Sequence, residues 1–175
     1  MSDRYQTITG AGGRIVCISV DSPLRNAALI EKLRVPFPIL SDPDRSGAIE
    51  PYGVADPKDE RNIARPAIFV VAPDGEIVYS AVSRDFADRT SEEAAVTGLI
   101  ELGLPPTTPE RFDIGPAEPG PYAMRIENME PYYRGAMFAV RALRGRHPGI
   151  ADDANDYIAQ MKRYVELSKA LREDG

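Results

Sequence analysis

Cysteine, histidine and tryptophan are nearly absent from these 175 residues: there is one cysteine, one histidine and no tryptophan. A single cysteine excludes an internal disulfide, a two-cysteine redox pair and a cysteine-built zinc site. A single histidine excludes histidine-rich metal centres, so neither a metal nor another cofactor is expected. Positive charge is short as well. Lys and Arg number 21 against 27 Asp and Glu, a net charge of −6, which lacks the basic field that nucleic-acid binding needs. Apolar runs fall well below the ~20 residues that cross a bilayer. Residues 1–13 are polar, with no signal-peptide core. These absences point to a cytoplasmic protein with neither nucleic acid nor membrane as a partner.

What remains is ordinary globular composition, 43% hydrophobic and 27% charged. A chain of this length buries roughly 70% of its unfolded surface and needs no staple. Residues 14–20 (RIVCISV) form a short, β-branched apolar run that suits a strand covered on both faces. Asp21, Ser22 and Pro23 end it and open a helix, with Ser22 as cap and Pro23 at the first helical position. Leu24, Ala27, Ala28 and Leu33 recur at helical spacing. Residues 35–40 are extended, because residues before proline avoid the α region. Ser41, Asp42 and Pro43 predict a second capped helix running to about Gly53. The β-α-β order implies a right-handed crossover and a parallel strand pair.

Residues 56–64 are charged and aperiodic, a surface loop. Residues 67–72 and 76–82 flank Pro73-Asp74-Gly75, which reads as a hairpin. Thr90 with Glu93 forms a capping box for a helix that ends near Leu102, before Gly103 and Pro105. Residues 105–122 are crowded with proline and glycine, a linker or a strap over the surface. Beyond them the pattern is helical. Tyr133, Met137, Val140 and Leu143 lie on one stripe, and Tyr157, Met161, Tyr164, Val165 and Leu171 on a second. The break at residues 147–149 makes residues 123–175 an αα-hairpin, with Tyr132, Tyr133, Tyr157 and Tyr164 as core. Residues 1–104 form the domain before the linker.

Three segments in order, VCISVDSP, VPFPILSDPD with YGV close behind, and RPAIFVVAPDGEIVY, resemble the later part of the alkyl hydroperoxide reductase / thiol-specific antioxidant (AhpC/TSA) family. These are peroxiredoxin-like redoxins on a thioredoxin fold. The resemblance spans residues 13–103. It implies an α/β fold, namely an incomplete thioredoxin-like fold that lacks its first strand and nucleophile turn, followed by the helical hairpin. The family's nucleophilic cysteine belongs upstream of Met1. Residues 1–12 then supply the tail of its helix. The family's arginine falls at Pro66, one place after Arg65. Pro66 resembles the thioredoxin-type proline, usually cis, beside the active site.

The missing strand would separate residues 14–20 from residues 67–82. Unpaired buried backbone groups cost ~1–3 kcal/mol each. The two strands then pair directly, a partner chain inserts a strand, or the chain is poorly stable. Bare apolar edges aggregate, so direct closure or a strand from another chain is expected, the latter as a homo-oligomer or with a strand-donating partner.

Three candidate site residues follow. Cys17 lies inside an apolar strand, where a buried, unreactive thiol is expected. Arg65 and Pro66 either line an active-site remnant, the arginine stabilising a thiolate or a peroxide oxygen, or end a solvated loop. His147 reads as a helix-end residue, and Asp42 and Asp44 as helix-start acids rather than a metal pair. Two functions remain. One is a thiol-dependent oxidoreductase of the peroxidase type, using a thiol reductant and without its own peroxidatic cysteine. The other is a non-catalytic binding or assembly module.

Overall fold

The computed structural model describes residues 2–84, 92–109 and 111–173. The chain forms two compact units, Met1–Gly120 and Pro121–Gly175. The first holds α1 (Tyr5–Gly10), β1 (Cys17–Ser19), α2 (Pro23–Leu33), β2 (Ile39–Ser41), β3 (Ala67–Val71), β4 (Ile77–Val82) and α3 (Glu92–Glu101). The second holds α4 (Ile126–Arg146) and α5 (Ala151–Glu173).

Helix α2 starts at Pro23, as its fixed φ favours, and stops where Arg34 turns left-handed at φ 50°. Ser22 has the extended backbone of a cap, but its side chain makes no capping bond, a correction to the expected role. The buried face of α2 also differs from the expected stripe. It carries Asn26, Ala27 and Ile30, while Leu24 is exposed. Asn26 sets this phase by bonding to the strand ends. Its Nδ2 donates to the Leu40 carbonyl (3.3 Å) and to the Ser41 hydroxyl (3.0 Å), and its Oδ1 accepts from the Ser19 hydroxyl (2.9 Å). The α2 crossover thus lays β1 and β2 parallel, with Ile18 opposite Leu40.

No helix follows Pro43. Residues 43–53 wind through successive turns, because the buried Asp42 carboxylate accepts the N–H groups of Gly47, Ala48 and Ile49, each at 2.9 Å. Left-handed φ at Arg45 (68°) and Gly53 (66°) prevents a continuous helical ladder. Residues 55–64 form a loop closed by an antiparallel bridge between Ala55 and Ala64. The β3–β4 hairpin forms on its Pro-Asp-Gly turn. Gly75 takes φ 92° and the Asp74 carboxylate accepts the Glu76 N–H at 3.0 Å.

The two strand pairs are separate sheets, β1–β2 and β3–β4. Direct closure of residues 14–20 on residues 67–82 is therefore not formed. The backbone shows why. Cys17 N–H donates to Pro38 and Ser19 accepts from Asp42, so β1 turns these groups to β2 and leaves Ile18 on its open edge. The entry to β3 is committed elsewhere: Arg65 N–H donates to Val54 (2.8 Å) and Pro66 accepts from Ser83 (2.8 Å). By the alternation of an antiparallel ladder, Ala67 and Phe69 then turn their backbone groups to the edge away from β4.

The core of this unit gathers Ile8 of α1 and Val96 and Leu99 of α3, with Ile15, Val70 and Leu102 against them. The expected capping box at Thr90 lies outside the described residues. Residues 105–120 belong to this first unit. Thr107 donates its N–H to Thr9 (2.9 Å) and its hydroxyl to Gly13 (2.7 Å), and Glu118 donates its N–H to Leu24 (3.1 Å).

The second unit is an antiparallel helical hairpin. Met137, Ile158, Met161 and Val165 form its core, with Tyr133, Val140, Tyr157 and Tyr164 packed around them. Two expected core residues lie outside: Tyr132 is 58% exposed and Leu143 46%. Both sit one step around α4 from the Tyr133–Met137–Val140 stripe that faces α5. Asp152 and Asp153 occupy the first turn of α5, and Arg144 and Arg146 the last turn of α4, each complementing the helix dipole. Among the described residues no helix is long and apolar enough to cross a membrane.

Candidate functional site

Residues 64–71 run extended from the loop bridge at Ala64 into β3. Arg65 and Pro66 sit at that entry. The Arg65 guanidinium reaches back over the turn, where Nη2 donates to the Gly53 carbonyl at 3.1 Å. Its Nε is sealed from solvent and has no partner. The guanidinium is thus anchored at one nitrogen and leaves a buried donor unsatisfied at another. Phe69, on the same face of β3 by strand alternation, packs edge-on against Tyr52 with ring centroids 4.8 Å apart.

The peptide bond preceding Pro66 is trans, which corrects the cis expectation. Cis costs about 0.5–1 kcal/mol and is used where a tight turn demands it. Here the chain simply continues straight into β3. Across the ladder Ser83 is 2% exposed and its hydroxyl has no partner.

Cys17 lies on β1, in the other sheet. It shares strand parity with Ser19, whose hydroxyl meets Asn26 of α2, so the thiol faces the helix side. It is free and half-buried, and burial pushes its pKa above the ordinary thiol range. No hydrogen bond or ion pair joins Cys17 to Arg65. The structure thus brings Arg65 and Pro66 together by sequence adjacency and does not bring Cys17 to them. A thiol with a raised pKa is protonated at neutral pH and presents little thiolate to an oxidant.

Asp42 and Asp44 serve the turn after β2. Asp42 takes its three N–H groups, Ile49's foremost, and these hold its carboxyl below the usual carboxylate range. Asp44 accepts from the Ser46 N–H and hydroxyl. Among the described residues no group of three or more His, Cys, Asp or Glu side chains is placed to hold a metal ion. His147 closes α4 through its backbone, donating N–H to Leu143 at 2.9 Å. Sequence reasoning missed Asn26 and Ser83. The signal for Asn26 was an amide inside a helix at a position where the apolar stripe falls silent.

A family model matches residues 1–80, that of the AhpC/TSA family. That part of the chain is similar to the AhpC/TSA family, whose members are redoxins, and the family model implies a thioredoxin-like arrangement. The match begins ahead of residue 13 and ends inside β4, so it takes in α1 and leaves out α3. No curated protein matches the chain.

Proposed function

Taking the AhpC/TSA character of residues 1–80 as the premise, we propose that this chain is a redoxin scaffold whose own thiol is not a peroxidatic cysteine. The peroxidase chemistry of the family has a thiolate attack the O–O bond, giving a sulfenic acid that a second thiol resolves. The single observation that carries the reading is the setting of Cys17: one thiol, half-buried on its strand, its pKa raised by burial, with no hydrogen bond or ion pair to an Arg or Lys side chain among the described residues. Peroxide reduction on this scaffold takes its sulfur from polypeptide outside residues 1–175.

The open edges support a place of entry for such polypeptide. Ile18 on β1 and Ala67 and Phe69 on β3 offer unpaired backbone groups, the two edges that a central strand of a thioredoxin-like sheet joins. Apolar side chains beside them support this. Val16, Ile18 and Leu40 are 53%, 43% and 53% exposed, far more than strand-centre residues of a covered sheet. The fold is then an incomplete thioredoxin-like one, completed by a strand-donating partner or a second copy. Arg65 and Pro66 line the completed site, the arginine toward a peroxide oxygen. A reducing, cytoplasmic setting suits its one unpaired thiol.

The test is peroxide consumption with a dithiol reductant, for the wild type and Cys17→Ser. The expected result is no thiol-dependent turnover above background in either protein. Turnover in the wild type that disappears in Cys17→Ser overturns the proposal. The second reading, a binding module, is favoured by the exposed aromatic and cationic face of the hairpin.

A further inference from the structure

We propose that the outer groove of the helical hairpin is a docking site for an amphipathic helix with acidic flanks, supplied by a partner protein. The groove encloses a cavity of about 240 Å³ whose floor is Met137 of α4 and Val165 of α5, both core residues. Its α4 wall is Arg134, Phe138 and Arg141, and its α5 wall is Lys162 and Glu166. On α4 these positions recur at i, i+4 and i+7, the spacing that lines one helical face.

Two features show what fits. Phe138 is 68% exposed on the rim, and a large ring in water beside an opening into the core marks a place for apolar cover. The cavity is smaller than the roughly 300–1,000 Å³ of small-molecule pockets and suits one large apolar side chain anchored on a helix. The charge around it is lopsided. Three cations line it against one carboxylate, in a chain whose net charge is −6. Glu166 is already engaged by Lys169 at 2.9 Å, and Arg134 by Glu130 at 2.9 Å. Arg141 and Lys162 have no carboxylate partner among the described residues. Arg141 lies over the Phe138 ring at 5.9 Å from its centroid, at the outer limit of a cation–π contact.

These observations select an occupant with an apolar anchor for the floor and carboxylates for Arg141 and Lys162. This is the helix-in-groove mode, with the buried anchor giving affinity and the flanking acids giving partner choice. A second copy docking the same groove about a twofold axis would set its three cations against themselves, so self-association through this face is disfavoured.

The experiment uses the full chain and a fluorescein-labelled helical peptide with leucine along one face and glutamate on both flanks. A control peptide carries lysine in place of glutamate. Saturable anisotropy with the glutamate peptide and none with the lysine peptide is expected. Arg141→Glu with Lys162→Glu should weaken the glutamate peptide by about tenfold or more, since the two pairings become repulsions. The same double variant should gain binding of the lysine peptide, an outcome that a misfolded hairpin cannot give. Phe138→Ala should weaken the glutamate peptide without changing the charge preference. Equal binding of both peptides, or no binding of the glutamate peptide, overturns the proposal. So does charge-dependent cosedimentation with phosphatidylglycerol vesicles in the absence of peptide binding, which would assign the groove to a membrane surface.

Discussion

The side-chain amide of Asn26 donates to the Ser41 hydroxyl across 3.0 Å, and through this bond one helical residue fixes the end of β2. The same amide takes the Ser19 hydroxyl at the end of β1. Asn26 is only 2% exposed, so its partners have no water to replace it. Asn26→Ala should cost about 2–3 kcal/mol, because the Leu40 carbonyl and two hydroxyls lose their partner in a dry site. Asn26→Asp should cost at least as much, since an oxygen would then face the Leu40 carbonyl. Urea denaturation followed by circular dichroism measures both, and values within about 0.5 kcal/mol of wild type would contradict this role for Asn26.

Acid should loosen the segment from residue 42 to residue 61 before the hairpin. Backbone N–H groups hold the Asp42 carboxyl below its usual range, and Arg61 holds Asp59 at about 2. A carboxyl depressed in the folded state contributes stability above its unfolded pKa of about 3.9. That contribution is lost as pH falls through the folded value. For Asp59 the window runs from about pH 4 to about pH 2. Protection of the Gly47, Ala48 and Ile49 amides, their exchange read against the intrinsic rate at each pH from about pH 5 to about pH 2, should fall in wild type. In Asp42→Asn those amides should exchange faster at every pH, with a weaker acid dependence.

The contact between residues 12–13 and the strap after α3 gives a matched pair of glycine tests. Gly12 has φ 83°, and a Cβ built there lies 2.5 Å from the Leu104 Cβ and 2.6 Å from the Pro105 carbonyl oxygen. Gly12→Ala should destabilise by about 1–3 kcal/mol from backbone strain alone. Gly10 ends α1, and an added Cβ meets nothing within 4 Å. Gly10→Ala should be neutral or stabilising by up to about 1 kcal/mol. Equal melting temperatures for the two variants would mean that the strap is not packed as described.

The hairpin core should respond to truncation where its exposed ring does not. Met161 is buried between the helices and Tyr132 stands mostly in solvent. Met161→Ala is expected to cost about 2–4 kcal/mol of hairpin stability, and Tyr132→Ala less than about 0.5 kcal/mol. Helical ellipticity against temperature distinguishes them.

Elements with a strong local signal were legible in the sequence. The β3–β4 hairpin declared itself through Pro73-Asp74-Gly75 between two β-branched runs. Helix α2 did so through Pro23, and the α4–α5 pair through stripes whose period matches a helix. Features decided by partners distant in sequence were not legible. Asp42 reads as a helix-start acid, yet its carboxylate collects three amides and replaces the helix by turns. The face of α2 was misjudged because Asn26 bonds to residues 14 and 15 positions away, which periodicity does not register. Of the candidate site, Arg65 and Pro66 were named from the sequence as candidates, while the Arg65–Gly53 bond and the orphaned Ser83 hydroxyl depend on how a loop folds back. The parallel β1–β2 pair was legible in the β-α-β order, whereas what lies on the other edge of β1 was not, because no local signal says how that edge is filled.

The most direct test of the account is the reactivity of Cys17 itself. Its alkylation rate by iodoacetamide against pH gives the thiol pKa, and dimedone trapping after a stoichiometric addition of peroxide detects a sulfenic acid. The account predicts an inflexion above the ordinary thiol range and no dimedone adduct. An inflexion below neutrality, with Cys17 trapped as its sulfenic acid, would show a working peroxidatic thiol and contradict it.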